Sequence, residues 1–155
     1  MTQKEEGHLA HLLSLLLKKE VLIEMKKYIQ HGDTTTYDHV LAVARAAFKL
    51  SKKLPFGVSE MSLLKGALLH DFYLYDWHEQ DPQRKRFHGL HHHRTAHKNA
   101  CRHFHLTPLE EDIILRHMWP LTLKMPRSRE GWLVCVADKW VSLEDTFRRT
   151  ERKNT

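Results

Sequence analysis

Apolar residues recur along most of the chain at intervals of three and four positions, which is the spacing of one face of an α-helix. No stretch alternates convincingly between apolar and polar residues with a period of two, so strands are not expected. The stretches with helical spacing are residues 8–30, residues 37–53, the segment that leads to His70 and Asp71, residues 92–104, residues 106–118 and residues 129–149. This pattern predicts an all-α fold.

Residues that favour helix ends stand at several of these boundaries. Thr107, Pro108 and Glu110 have the spacing of a capping box with proline in the first turn, which predicts that a helix begins there. Gly32 can close the first helix, and Asp33 or one of the threonines after it can cap the second. The sequence therefore separates the first two helices at about residue 33.

Two longer connections are predicted, one over the polar residues 76–90 and one between Pro120 and Pro126. The 155 residues are enough for one core and too few for two ordinary domains. We therefore expect a single-domain helical bundle of about five to seven helices. Its expected parts are an N-terminal helical segment packed on the domain (1–33), the main helical domain (34–147) and a basic tail that frays (148–155).

The last predicted helix combines an apolar stripe with an acidic residue in apolar surroundings. Large side chains on or near one stripe are typical of a helix that packs through that face. They are Trp132, Val136, Trp140, Leu143 and Phe147. Asp138 lies among other apolar residues of this helix, so it is expected to be at least partly buried and to need a partner.

The charge balance of the chain favours anionic ligands. The net charge is +6 with histidine neutral, which suits phosphate esters, nucleotides or nucleic acid. No predicted helix shows a basic stripe interleaved with aromatic residues, so nucleic acid is the weaker alternative. Cys101 and Cys135 lie in apolar helical patterns and predict no disulfide framework. The first residues lack a basic signal region and no apolar run could span a bilayer, so we expect a cytoplasmic protein without membrane contact.

Polar residues interrupt the apolar faces of the predicted helices close to their ends. A buried carboxylate is normally paired or bound to metal. Neutral imidazoles and carboxylates drawn from several helices are the ligands that a first-row divalent cation requires, and helical bundles build metal sites between facing helices. The residues of this series are His39, the pair His70-Asp71, at least one of the histidines between 88 and 97, His117 and Asp138.

This series resembles the HD-domain superfamily of metal-dependent phosphohydrolases, and in particular a bacterial subgroup of it. The resemblance covers residues from about 34 to 145 and is carried by "TYDHVLAVA", "GALLHD", "IILRHMWP" and "VADKWVS". The chain continues its His-Asp pair with "FYLYDW", whereas many signalling members have a lysine-containing "IGK" there. It also lacks the "GYP" element, which disfavours the cyclic-di-GMP class.

The resemblance implies one or two divalent cations, which can be Fe, Mn, Co, Ni, Zn or Mg. The residues that would hold the first ion are His39, His70, Asp71 and Asp138. Two intermediate histidines would hold the second, with Asp71 as the bridge. His117 is one of them, and His92 is preferred for the other because it precedes the small residue Ala96, with His88 as second choice. Other histidines of the region are expected to be exposed polar residues: His91, His97, His103 and His105.

The function implied is that of a metal-dependent phosphohydrolase acting on a small phosphomonoester, nucleotide or cyclic nucleotide. Asp71 and Lys139 are assigned to catalysis, Lys139 because it adjoins Asp138. Further candidates to hold the phosphate are Arg94, Lys98, Lys124, Arg127 and Arg129. Aromatic residues that could line a pocket are Tyr73, Tyr75, Trp77 and Trp119. Two alternatives remain open, a mixed-valence di-iron oxygenase and a non-catalytic regulatory domain that binds a nucleotide or metal.

Overall fold

A computed structural model of the protein describes residues 1–31, 33–75 and 88–153. Over these ranges the chain forms six α-helices, one 3₁₀ helix and two very short strands. In order they are α1 (Gln3–Leu16), the 3₁₀ helix (Glu20–Lys27), β1 (Ile29–His31), β2 (Thr34–Thr35), α2 (Thr36–Ser51), α3 (Glu60–Leu69), α4 (His88–His103), α5 (Pro108–Arg116) and α6 (Arg129–Lys153). The predicted all-α fold is confirmed.

The prediction of one continuous helix over residues 8–30 is wrong. Helix α1 ends at Leu16, and the chain re-forms as a 3₁₀ helix from Glu20. The buried residues of this second piece are Leu22 and Met25, which are three positions apart. A spacing of three matches the three residues per turn of a 3₁₀ helix, so both side chains face the core.

The two short strands were not predicted from the sequence. Ile29 pairs with Thr35 and His31 pairs with Thr34 in an antiparallel ladder. Strands of two and three residues are too short for alternation to be visible in a sequence. Thr35 then caps α2, because its hydroxyl accepts a hydrogen bond from the backbone amide of Asp38. This confirms the prediction that a threonine caps the second long helix.

Helix α2 lies at the centre of the packing, against α3 on one side and α6 on the other. Its Val43, Ala44 and Ala47 are completely buried. The same hydrophobic core includes Leu9 and Leu13 of α1, so the N-terminal segment packs on it. Helix α5 packs against α3 and α6, and α4 packs mainly against α5. The ends of α3 and α5 are thereby brought to the same region.

Helix α6 faces the core with a different set of residues from the apolar stripe noted in the sequence. Its buried apolar residues include Val134, Ala137 and Val141. The stripe residues Val136, Trp140, Leu143 and Phe147 are each more than half exposed. The backbone is helical to Lys153, so α6 extends into the basic tail, and its fraying stays a prediction. Among the described residues, no helix has the length and apolar character needed to cross a membrane.

The boundaries of the remaining helices follow the sequence closely. Both hydrogen bonds of the predicted capping box are present at the start of α5, between Thr107 and Glu110. The segment between Pro120 and Pro126 is irregular, as predicted. Helix α4 begins at His88, so the end of the predicted loop 76–90 is helical, while residues 76–87 lie outside the described part of the chain, as does Gly32.

Candidate metal centre

Five helices bring the six predicted ligand residues to one centre. Helix α2 supplies a residue from its first turns, α3 and α5 supply residues at or just after their C-terminal ends, and α4 and α6 supply residues from within. The six are His39, His70, Asp71, His92, His117 and Asp138. All of them are buried except Asp138, whose side chain is 14% exposed. Nearly all of these polar atoms are thus shielded from water.

Two of the histidines are oriented by the same local device. His70 is the C-cap of α3, and its Nδ1 donates a hydrogen bond to the carbonyl oxygen of Ala67 at 2.6 Å. His117 is the C-cap of α5, and its Nδ1 donates to the carbonyl oxygen of Ile114 at 2.8 Å. A carbonyl can only accept, so Nδ1 of each ring carries a proton, and in the neutral imidazole Nε2 keeps its lone pair toward the centre. This is how a protein fixes a metal-ligating tautomer.

The carboxylate of Asp71 lies between two groups of side chains. Its Oδ1 is 3.1 Å from Nε2 of His92 and 3.5 Å from Nε2 of His117. Its Oδ2 is 3.5 Å from Nε2 of His70 and 3.8 Å from Nε2 of His39. The two oxygens of one acid therefore face two different pairs of histidines.

Asp138 completes one of the two groups. Its Oδ1 lies 3.2 Å from Nε2 of His39 and 3.7 Å from Nε2 of His70. On the other side of Asp71, the Nε2 atoms of His92 and His117 are 3.1 Å apart. The centre thus has a four-residue side, with two acids and two histidines, and a three-residue side that shares Asp71.

The charges of these groups depend strongly on one another. Burial alone would lower the pKa of His70, but the carboxylates of Asp71 and Asp138 outweigh it and raise that pKa to about 9. Burial opposes ionisation of both acids, yet the surrounding histidines hold the pKa of each carboxyl well below its usual range. Burial lowers the pKa of His117. Both acids are therefore ionised at neutral pH.

The donor set fits divalent cations. Nε2 of His70 and Oδ1 of Asp71 are buried and find no hydrogen-bond partner among the described residues. Buried polar atoms without partners are unfavourable, and a cation between them would satisfy both. Three groups of three ligand atoms lie within 4.8 Å of one another. They are His39, His70 and Asp71; His70, His117 and Asp138; and Asp71, His92 and His117. Imidazole and carboxylate donors suit Mn, Fe, Co, Ni and Zn.

A comparison with protein-family models matches residues 36–141 to the HD domain. The chain belongs to the HD-domain family. Membership confirms the resemblance seen in the sequence and places the chain in a superfamily of metal-dependent phosphohydrolases. No curated protein and no solved structure matches the chain significantly.

Gln30 is a residue of the HD centre that the sequence did not reveal. Its Nε2 donates a hydrogen bond to Oδ2 of Asp71 at 2.7 Å, and its Oε1 accepts from the hydroxyl of Tyr73. The hydroxyl of Thr36 also lies 3.3 Å from that oxygen. Gln30 is in β1, outside the segment that matches the family, and its position was read as part of a helix. Tyr73, expected to line a pocket, is buried and serves this network instead.

Replacing Gln30 with leucine is expected to weaken metal binding without unfolding the HD domain. Leucine is similar in size but cannot hold Oδ2 of Asp71, and losing an outer partner of a ligand typically lowers metal affinity about 10- to 100-fold. Metal dissociation constants measured by competition with a chelator test this. Gln3→Leu, at the exposed start of α1, is the control and should leave the affinity unchanged. Equal affinities for wild type and Gln30→Leu would contradict a positioning role.

The histidines near position 92 divide into different environments. His93 is buried beside His92 and His117, and burial together with these neighbours lowers its pKa to about 4, so it is neutral at pH 7. His103 and His105 are exposed, as predicted, whereas His91 and His97, predicted to be exposed as well, are partly buried. The side chain of His88, the second choice, lies outside the described residues. Burial of His93 was not predicted.

Lys139, the second residue assigned to catalysis, lies beside the centre. Its Nζ donates a hydrogen bond to the carbonyl oxygen of His117 at 2.8 Å and lies 3.6 Å from Oδ2 of Asp138. The side chain is 38% exposed, so the ammonium is at the boundary between the centre and solvent. The other basic candidates have exposed side chains, and their role in binding phosphate stays a prediction: Arg94, Lys98, Lys124, Arg127 and Arg129.

The aromatic residues expected near a pocket have mixed positions. Trp119 packs edge-on against Trp132, with ring centroids 4.9 Å apart, so it joins α6 to the segment after α5. The ring of Tyr75 lies 5.0 Å from that of Tyr73. Trp77 lies outside the described residues.

The metal-free HD domain is expected to lose stability as the pH rises from about 6.5 to 9. His70 has a pKa of about 9 in the folded chain and about 6.5 when unfolded. A raised pKa contributes stability that is complete below the unfolded value and disappears as the pH passes the folded value. Urea unfolding midpoints measured with a chelator at pH 6.5 and 9 test this. His70→Gln should abolish the fall in midpoint between pH 6.5 and 9. A wild-type midpoint that is the same at both pH values would contradict the prediction.

Proposed function

We propose that this HD domain hydrolyses small phosphoesters with two divalent cations that share Asp71. The observation that supports this most strongly is that the two oxygens of Asp71 face separate groups of ligands. One oxygen faces His39 and His70, and the other faces His92 and His117. A buried carboxylate with histidines on both sides is suited to bridge two ions.

The first position would be held by four residues and the second by three. His39, His70, Asp71 and Asp138 hold the first; Asp71, His92 and His117 hold the second. When bound, divalent cations lower the pKa of a coordinated water and polarise a phosphoryl oxygen, which is the chemistry that phosphoester hydrolysis requires. The chain itself keeps both acids ionised and fixes the tautomers of His70 and His117 through their backbone hydrogen bonds.

The substrate phosphate would approach from the side of α6. Asp138 is the most exposed of the six proposed ligands, and Lys139 beside it is more exposed still. An ammonium at that boundary can bind a phosphate oxygen and neutralise charge as the leaving group departs. The net charge of +6 favours an anionic substrate. The proposed substrates are therefore small phosphomonoesters, nucleotides or cyclic nucleotides.

Turnover of a phosphoester panel with different metals tests the proposal. The panel contains an aryl phosphate, nucleoside monophosphates, and 2′,3′- and 3′,5′-cyclic nucleotides, each with Mn²⁺, Fe²⁺, Co²⁺, Ni²⁺, Zn²⁺ or Mg²⁺. We expect hydrolysis of at least one class, dependent on added metal and abolished by a chelator. Protein that carries two ions per chain, hydrolyses none of these substrates and instead consumes oxygen would contradict it and favour the oxygenase alternative.

The role of Lys139 is tested with the substrate that turns over. Lys139→Ala is expected to raise KM, because it removes a charge that binds the phosphate in the ground state. Steady-state kinetics with Lys4→Ala as the control variant measure this, since Lys4 is exposed on α1. Identical kinetics for wild type and Lys139→Ala would exclude a phosphate-binding role for this residue.

A further inference from the structure

A second group of potential metal ligands lies on the outer side of α4 and α5, apart from the HD centre. His97 and Cys101 are one turn apart on α4, and Glu111 is in the first turn of α5. Nε2 of His97 lies 3.6 Å from Sγ of Cys101 and 3.6 Å from Oε2 of Glu111. The three ligand atoms are all within 4.8 Å of one another. None of the three belongs to the centre formed by the six residues around Asp71.

The two separations from Nε2 of His97 are close to the edges of a tetrahedral zinc site. Zinc binds imidazole nitrogen at about 2.0–2.1 Å, thiolate sulfur at about 2.3 Å and carboxylate oxygen at about 2.0–2.2 Å. Tetrahedral angles then place nitrogen and sulfur ~3.6 Å apart and nitrogen and oxygen ~3.4 Å apart. The nitrogen–sulfur distance agrees, and the nitrogen–oxygen distance needs a shift of a few tenths of an ångström. Such a shift is small for Glu111, whose side chain is 45% exposed and free to adjust.

Hydrogen bonding alone does not account for the arrangement. A single nitrogen of His97 faces both the thiol and the carboxylate, and it can donate to or accept from one of them at a time. The distance of 3.6 Å to Glu111 is too long for a hydrogen bond. Burial and the nearby carboxylate of Glu111 raise the pKa of the Cys101 thiol. A cation between the thiol and the carboxylate would instead lower the pKa of the thiol, because a cation favours the thiolate.

We propose that His97, Cys101 and Glu111 form a zinc site that ties α4 to α5, with water in the fourth position. Thiolate is a soft ligand that the HD centre lacks, so the two sites differ in the metals they favour. This outer site, formed by His97, Cys101 and Glu111, selects zinc, whereas the HD centre offers only nitrogen and oxygen ligands. Exposure of the three side chains leaves room for the water.

A bound ion would restrain the helix that carries His92. Helix α4 packs mainly against α5, and residues 76–87, which precede it, lie outside the described chain. His97 follows His92 by five residues, which is about 7.5 Å along a helix. Because α5 ends at His117, a link between α4 and α5 would also fix His92 relative to His117 in the HD centre.

Cobalt provides a direct test, because a thiolate bound to Co²⁺ gives a charge-transfer band in the near ultraviolet that nitrogen and oxygen ligands do not give. The full-length chain is titrated with Co²⁺ under reducing conditions, and Zn²⁺ is then added. We expect the band to saturate at one equivalent of outer-site cobalt and to disappear when zinc displaces it. When zinc binds, amide hydrogen exchange in α4 should slow more in wild type than in Cys101→Ser.

Variants decide whether the three residues form the site together. Cys101→Ser should remove the band, while Cys135→Ser should retain it, because Cys135 is in α6 and donates to the carbonyl of Trp119. His97→Gln and Glu111→Gln should each weaken cobalt binding by at least tenfold, whereas His105→Gln, on the nearby exposed surface, should not. The proposal is overturned if no charge-transfer band forms, if the band survives in Cys101→Ser, or if the band requires Cys101 but neither His97 nor Glu111. Because the band does not report on the HD centre, its absence leaves the proposed hydrolase intact.

Discussion

Replacing Asp71 with alanine is expected to remove metal from the HD centre and the proposed phosphohydrolase activity together. Asp71 is the only one of the six proposed ligands whose two oxygens face both groups of histidines. Its loss would remove one ligand from each of the two proposed ions. It would also remove the negative charge that the two ions share. We expect a fall in metal affinity larger than the roughly 10- to 100-fold that follows from losing an outer-shell partner. Elemental analysis and hydrolysis rates measure the two effects.

A second variant separates this effect from misfolding. Asp71→Asn keeps the shape of the side chain but removes the charge, so it should fold and still fail to bind two ions. Glu6→Ala, on the exposed face of α1, is the control for a lost carboxylate. Circular dichroism establishes that each variant is helical. A folded Asp71→Asn protein with normal metal content and rate would show that Asp71 is not the bridge.

Replacing Gly66 with alanine is expected to destabilise the protein by about 1–3 kcal/mol, the range for overpacked cores. A Cβ at this position of α3 would lie 2.6 Å from Cδ1 and 2.9 Å from Cβ of Ile113, closer than real contacts allow. In an exposed helix the same change would stabilise by about 1 kcal/mol, because alanine is the better helix former. Urea unfolding shows whether the substitution lowers or raises the free energy of unfolding.

The neighbouring helix offers the matched tests. Gly7→Ala in α1 places its Cβ in open space, so it should be neutral or stabilising. Combining Gly66→Ala with Ile113→Ala removes most of the clashing atoms, so the double variant should be less destabilised than the sum of the two single ones. Because α3 leads to Asp71 and α5 to His117, Gly66→Ala should also weaken metal binding. Stabilisation by Gly66→Ala would contradict the close packing of α3 on α5.

Five of the six residues of the centre were accessible to sequence reasoning because each breaks an apolar helical face, whereas His92 was chosen through the family resemblance. An acid such as Asp138 among valines and alanines is unfavourable unless something pairs with it. The adjacent His70 and Asp71 stand where a helix must end, so both could be placed at one end of the bundle. Residue type and spacing therefore predicted which side chains meet, although their role as ligands is still to be tested.

Other features depend on contacts that a linear pattern does not contain. Gln30 reaches Asp71 through β1, and a strand of three residues leaves no periodic signal. The stripe of α6 that includes Trp140 and Phe147 is as apolar as a core face, yet the helix buries smaller residues in the core. Which histidine near position 92 faces the centre depends on the rotation of α4, and several candidates lie within one turn. Such choices are made by packing rather than by local propensity.

The number of metal ions per chain tests the central claim most directly. The measurement is elemental analysis of protein purified without a nickel column, in a Cys101→Ser background so that the outer site does not contribute. We predict two ions per chain in that background, one after the further change His117→Ala and none after Asp71→Ala. The same metal content in all three proteins would contradict a centre in which Asp71 joins two ions.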